Sequence, residues 1–362
     1  MLQAHIENIT VPEIDRLPRR PAFTQHQPAL DELRQVQTGG YDDLIVVGNG
    51  GSVTTFRGLT HAHNTAVRTH IDTSMEPARL QQLQDRTDPA STLVVAVSKS
   101  GETRGVLESL QYFLEAEYPA AAVTTDHDST LRDLVAEHDL DVWPHPDIGG
   151  RFSGGTMSAL LPATLAGIDV EPFVEGLHTG YNELWNTESP VARFGTALHE
   201  LEQDGVTDVF APVYSYRLFG YHPLLVQLIH ETYCKEGRGQ TVFGDLGPEC
   251  QHHTIQRVFG GRDDVALFPI VQQDHASLEA GGQNLGDAFR AEYRGVRETA
   301  IDRGRPLLEL DIRDSSPQAQ GRLVAFMQLL AYLSAELRGL DPFDQPDVEQ
   351  SKQLGIRYRQ QG

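Results

Sequence analysis

Lysine is almost absent from this chain. Three stand in 362 residues, Lys99, Lys235 and Lys352; the rest of its 29 basic residues are arginine. Positive charge is scarce as well. Asp and Glu total 51, for a formal net charge of −22. Such a surface repels nucleic acid and anionic lipid, so neither a nucleic-acid partner nor a membrane partner is expected. The acids are scattered (Glu13, Asp15, Asp42, Asp43, Asp126, Asp128, Glu137, Asp139, Asp141), not gathered in a tail. Scattered acid with little lysine points to a halophile's surface, kept soluble by self-repulsion where salt screens charge. Cysteine is limited to Cys234 and Cys250, which make neither a CxxC pair nor a disulfide framework. Reduced thiols in a cytoplasm are the simplest reading. No apolar run approaches the roughly 18 residues of a membrane helix, and MLQAHIENITVPEI lacks a signal-peptide pattern. The GxxxxGK[ST] and GxGxxG fingerprints are also missing, which speaks against a nucleotide cofactor; no cofactor is expected.

What is present is strand–helix alternation. A chain of this length implies two packed lobes. The runs DLIVVG (43–48), TLVVAVS (92–98) and AAAVTT (120–125) read as buried strands. LDVWPHP (140–146), ended by proline, reads as an edge strand. Helical periodicity fills the gaps between them. The pattern restarts with VTDVFAPV (206–213), DVALFPIV (264–271) and PLLELDI (306–312), with helices expected over 222–236 and 319–340. The stretch 177–190 reads as the connection. The expected architecture is α/β, with two doubly wound parallel-sheet subdomains flanked by helices. The expected divisions are an N-terminal arm (1–40), a first subdomain (41–190), a second (191–340) and a C-terminal segment (341–362).

The loops after the first strands carry chemistry. In GNGGSVTTF (48–56), Gly48, Gly50 and Gly51 let backbone amides approach an anion or a sugar, and Ser52 adds a hydroxyl. In SKSGET (98–103), Ser98, Ser100 and Thr103 place hydroxyls at a helix N-terminus, where phosphate is favoured. Capping alone needs one hydroxyl. In DIGGRFSGGT (147–156), Arg151 follows two glycines, a crowded setting for a guanidinium that would face an anionic ligand or transition state.

Further on, Gln227, Glu231 and Lys235 recur at i, i+4 and i+8 and share a helical face. GPECQHHTIQ (247–256) clusters Glu249, Cys250, His252 and His253. No spacing there matches zinc, nor does the His61/His63 pair, so no metal is expected. In LDPFDQPDVEQSKQLG (340–355), Pro342 and Pro346 interrupt the chain before a helical turn with Glu349 and Lys352.

Together these segments resemble the phosphoglucose isomerase (glucose-6-phosphate isomerase) family, of the sugar-isomerase-domain (SIS) type, in its short archaeal or bacterial form. Gly48 to Ser52 resembles its GxGGS loop, and Ser98 to Thr103 is similar to its SKSGET phosphate loop. Gly149 to Ser153 looks like GGRFS, and Glu231 to Gly237 like ESxGKEG, with Gln227 four residues earlier. Gln251, His252 and Gln256 resemble QHxxxQ. Asp341 to Lys352 is very similar to NPFDQPGVExxK. The segments keep the family's order from 48 to 352, and all three lysines fall inside them. Three positions depart: Gly105 stands where the phosphate loop usually has an acid, and Asp341 and Asp347 replace Asn and Gly.

The resemblance implies a reversible aldose–ketose isomerisation of glucose 6-phosphate and fructose 6-phosphate through a cis-enediol, a step of glycolysis and gluconeogenesis. It implies Glu231 as the base, Arg151 as the enediolate stabiliser, and His252 with Lys352 as the ring-opening pair. Substrate binding would fall to Gly51, Ser52, Ser98, Lys99, Ser100, Thr103, Gln227 and Gln345. The histidine would come from the neighbouring subunit of a homodimer, and the partner is a small-molecule sugar phosphate. The alternatives are a bifunctional glucose/mannose 6-phosphate isomerase, against which Gln345 speaks, and a sugar-phosphate-sensing SIS module without catalysis.

Overall fold

Strands rich in Val and Ala on both faces must lie inside a sheet covered by helices, and the first lobe is built on that rule. The computed structural model describes residues 2–359. Its strands begin with β1 (Leu2–Glu7), β2 (Asp43–Gly48), β3 (Arg68–Asp72), β4 (Thr92–Val97), β5 (Ala120–Thr124) and β6 (Asp141–Pro144). β2 to β6 form a parallel sheet in the order β3-β2-β4-β5-β6. Every residue of β2 and β4 is buried. β6 is an edge strand, as its closing proline predicts. The opposite edge, β3, has the sequence RTHID, and only Asp72 in it is fully buried; an edge strand this polar gives no apolar run to read. The order is the flavodoxin-like one. Its switch point lies between β2 and β4, where the chain reverses its direction across the sheet, and ligands bind at the carboxyl ends of strands there.

The second sheet continues with β7 (Asp208–Phe210), β8 (Val213–Tyr214), β9 (Thr241–Phe243), β10 (Val265–Leu267), β11 (Ile270–Gln272) and β14 (Leu307–Ile312), after a small hairpin of β12 (Glu279–Ala280) and β13 (Gln283–Asn284). Two strands expected to be continuous are each broken by a proline, Pro212 and Pro269, which lacks the N–H a ladder needs. Their carbonyls still serve. The Pro212 oxygen accepts from the Ile270 N–H, and the Pro269 oxygen from the Leu310 N–H, both at 2.9 Å. β7/β8 and β10/β11 therefore behave as two kinked strands between β9 and β14. On the outer side of β14, β1 runs antiparallel, from Leu2 opposite Ile312 to Glu7 opposite Leu307. The N-terminal stretch thus completes the second sheet. Farther along, its Phe23 stacks on Phe152 of the first lobe, with ring centroids 4.6 Å apart.

Between the lobes runs the helix Pro317–Arg338, buried on nearly every side and capped by the Ser316 hydroxyl. It packs against the helices Glu171–Glu183 and Pro190–Gln203. Leu177 to Glu183, expected in a connection, belongs to the first of these, so the linker shrinks to 184–189. Prolines in the first turn, Pro172 and Pro190, start both helices where their missing N–H costs nothing. Among the described residues, no helix is long and apolar enough to cross a membrane.

Candidate functional site

The switch point brings the loops after β2 and β4 side by side. The β2 loop leads into the helix Gly51–Ala62. A Cβ on Gly51 would sit 2.1 Å from the Gly150 carbonyl carbon and 2.3 Å from the Arg151 nitrogen. Only glycine lets these two backbones touch, so Gly51 fixes the Arg151 loop over the start of that helix. Ser52 is half-buried on the first turn.

In the β4 loop, the buried Ser98 hydroxyl donates to the Thr103 hydroxyl oxygen at 3.1 Å. Thr103 occupies the cap position of the helix Arg104–Glu115, yet its side chain makes no capping bond. Capping therefore does not account for these hydroxyls. Ser100 is exposed, and its oxygen accepts from the Glu102 N–H. Gly101 turns the loop with φ +66°, and a Cβ there would meet the Ser129 oxygen at 2.2 Å. Glu102 is anchored outward by the Thr130 N–H at 2.7 Å and the Thr130 hydroxyl at 2.9 Å. The Thr130 backbone bond is the main cause that holds the Glu102 carboxyl below its usual range. Lys99 pairs with Asp147 at 2.7 Å, on the segment that leads to Arg151. Gly105, the position without the usual acid, faces the Asn49 side chain: a Cβ there would stand 3.5 Å from the Asn49 amide.

Arg151 is 4% exposed. One terminal nitrogen donates to Gln345 Oε1 at 2.8 Å and to Glu231 Oε2 at 3.3 Å. The other donates to the carbonyls of Pro342 at 2.7 Å and Asp344 at 3.0 Å. Burial pulls the guanidinium's pKa down, opposed chiefly by Glu231 and then by Asp344. The four acceptors fit the planar fork of an arginine.

Glu231 sits near the end of the helix His222–Tyr233, with its side chain 35% exposed. Its other oxygen accepts from the Gln227 amide at 3.2 Å. One carboxylate, partly open to solvent, is thus clamped between an amide and a buried cation. Lys235 lies beyond the end of this helix, which stops at Tyr233 and not at 236 as its periodicity predicts. It still reaches the same neighbourhood through the segment 341–344. The i, i+4, i+8 spacing from Gln227 predicts a shared face for Lys235 and by itself assigns it no task.

Two of the four expected catalytic residues, His252 and Lys352, are not brought to Arg151 and Glu231 within the chain. His252 ends the short turn Glu249–His252 and is exposed, with no side-chain hydrogen bond among the described residues. Lys352 is 54% exposed on the helix Glu349–Arg359 and pairs with Glu349 at 2.6 Å. Beside His252, Cys250 is fully buried, and burial pushes its thiol up to about 11. Cysteine, histidine and acid therefore do not converge in this turn. Among the described residues, His5, Glu309 and Asp311 are the one trio whose donor atoms lie within 4.8 Å of one another. Glu309 there is already held by Arg297 at 2.6 Å.

Two flavodoxin-like lobes with a hydroxyl-rich loop at a switch point and a clamped carboxylate make an α/β protein whose fold is similar to that of solved phosphosugar isomerases. No protein-family model matches the chain. It is 30% identical over 333 residues to a Haloarcula marismortui protein named "Probable glucose-6-phosphate isomerase", covering 86% of this chain and 76% of that one. A solved structure of a hypothetical protein from Thermus thermophilus superposes with TM-score 0.87 at 27% identity, covering 94% of this chain and 89% of that one. A solved glucose-6-phosphate isomerase from Chlamydia trachomatis shares the fold, with TM-score 0.80 at 21% identity and coverage of 91% and 72%. This chain belongs to the glucose-6-phosphate isomerase family. Its acidic, lysine-poor composition fits its haloarchaeal relatives.

Proposed function

We propose that this chain interconverts glucose 6-phosphate and fructose 6-phosphate by proton transfer through a cis-enediol. The observation that carries the reading is the Glu231 carboxylate held by Gln227 and Arg151. Isomerisation needs one group that takes the proton from C2 of the open-chain aldose and returns it at C1. A partly exposed carboxylate with both oxygens anchored suits that task. As the C2 proton leaves, negative charge builds on the sugar oxygens, and the Arg151 guanidinium meets it. Ser98, Ser100 and Thr103 hold the phosphate with Lys99 beside them, while Gly51, Ser52, Gln227 and Gln345 face the sugar hydroxyls.

Ring opening falls to His252 and Lys352, and His252 serves the neighbouring subunit of a homodimer. Its exposure and lack of a partner among the described residues of its own chain support that assignment. The unpaired Cys234 and Cys250 suit a cytoplasmic enzyme.

The first test is isomerase activity on fructose 6-phosphate at low and at molar KCl. Turnover, strongest in high salt, is expected. Binding without turnover would favour a sensing module, and equal turnover of mannose 6-phosphate would favour the bifunctional enzyme. Subunit sharing has its own test. Glu231→Gln and His252→Ala proteins, each inactive, are mixed in equal amounts under conditions of subunit exchange. A symmetric dimer with shared sites regains about a quarter of wild-type activity, because half the dimers are mixed and carry one intact site each. No recovery despite proven exchange rejects sharing.

A further inference from the structure

We propose that Lys235 is a positioning residue that latches the 341–345 segment over the site and thereby sets the orientation of Arg151 and Gln345. The proposal rests on the isomerase reading above. Its side chain is 5% exposed. The ammonium meets three oxygens: the Asp341 carbonyl at 2.5 Å, the Asp344 carbonyl at 2.8 Å, and the Asp344 carboxylate. An ammonium has three donors, and all three find acceptors on one short loop.

The loop is tied from the other side by Arg151, through the Pro342 and Asp344 carbonyls. Asp344 offers its carbonyl oxygen to both cations. Arg151 in turn spends its other terminal nitrogen on Gln345 and Glu231. The chain of contacts therefore runs from Lys235 to the loop, from the loop to Arg151, and from Arg151 to Glu231. Both cations in this relay are buried, so neither can exchange a lost acceptor for water easily, and the loss of one link shifts the next. Asp341, which stands where the family has Asn, keeps the loop's turn: its carboxylate accepts from the Phe343 N–H at 2.9 Å.

This geometry also explains why a chain that uses arginine nearly everywhere has lysine here. Three oxygens converging on one nitrogen suit a compact ammonium. A planar guanidinium spreads its donors over a fork and is too wide for the same enclosed space.

Misplacing a catalytic group by about 1 Å can cost on the order of 10²-fold in rate. Lys235→Met, which keeps the stem's bulk and removes the donors, is therefore expected to lower kcat by roughly 10- to 100-fold with KM changed less than about threefold. Lys235→Arg is expected not to rescue kcat. Asp344→Ala removes a side chain that is 51% exposed and leaves Lys235 its two main-chain acceptors, so it is expected to move kcat in the same direction by a smaller factor. Amide hydrogen exchange across 341–348 is expected to quicken in Lys235→Met. A merely structural lysine would lower the melting temperature and leave kcat and this exchange unchanged below it; that result overturns the latch. So does a loss that falls in KM alone. A wild type without isomerase activity rejects the functional reading instead, and the exchange measurement then decides the latch by itself.

Discussion

Glu231→Gln is expected to lower kcat for fructose 6-phosphate by roughly 10²–10⁴-fold, the range that a positioned general base contributes. The substitution keeps the side chain's shape and removes its capacity to take a proton. The amide oxygen can still accept from Arg151, and Glu231 is 35% exposed, so the fold survives. Arg151 keeps Gln345 and the Pro342 and Asp344 carbonyls as acceptors. Sugar-phosphate affinity, read by calorimetry with fructose 6-phosphate, is expected to change only a few-fold, because the loop proposed to hold the phosphate, 98–103, follows β4 in the other lobe. A folded Glu231→Gln protein that keeps more than about a tenth of wild-type kcat removes Glu231 from the base role, given the factors such bases supply.

Arg151→Lys is the second large loss. A kcat reduction of about 10²–10³-fold is expected, the scale seen when a transition-state donor is removed. Charge is conserved, so the loss reports geometry. Arg151 reaches four acceptors in two directions, with one terminal nitrogen on side chains and the other on main-chain carbonyls. A lysine there has one nitrogen and cannot serve both. The Pro342 carbonyl is left without a donor in a buried setting, at a cost of about 1–3 kcal/mol, so the melting temperature falls as well. Measuring kcat well below that temperature separates the two effects. Near-wild-type kcat in the folded Arg151→Lys protein would show that position's fork to be dispensable.

Much of this site is readable before any folding. Gln227 and Glu231 are four residues apart on a helix, and their pairing follows from helical spacing. The hydroxyl-rich loop 98–103 follows a Val-rich strand and opens a helix, and both signals are local. The edge position of β6 follows from Pro144. Other features left no such trace. β3 is too polar to show as an apolar run. β1 pairs with a strand roughly 300 residues away, and nothing in LQAHIE names that partner. The breaks at Pro212 and Pro269 are visible as prolines, but the carbonyl bonds that carry the sheet across them depend on Ile270 and Leu310 standing alongside.

By itself the sequence determined residue types, local elements and the order of the motifs, because periodicity, turn chemistry and charge are properties of neighbours along the chain. Only the tertiary structure decided that Arg151 meets Glu231 across 80 residues and Gln345 across 194. It alone decided that Lys235 closes on Asp341 and Asp344 while His252 faces outward. The reason is physical. A buried ammonium or guanidinium must have acceptors, and which acceptors stand within about 3 Å is settled by how two lobes and a returning C-terminal segment pack, not by any stretch read alone.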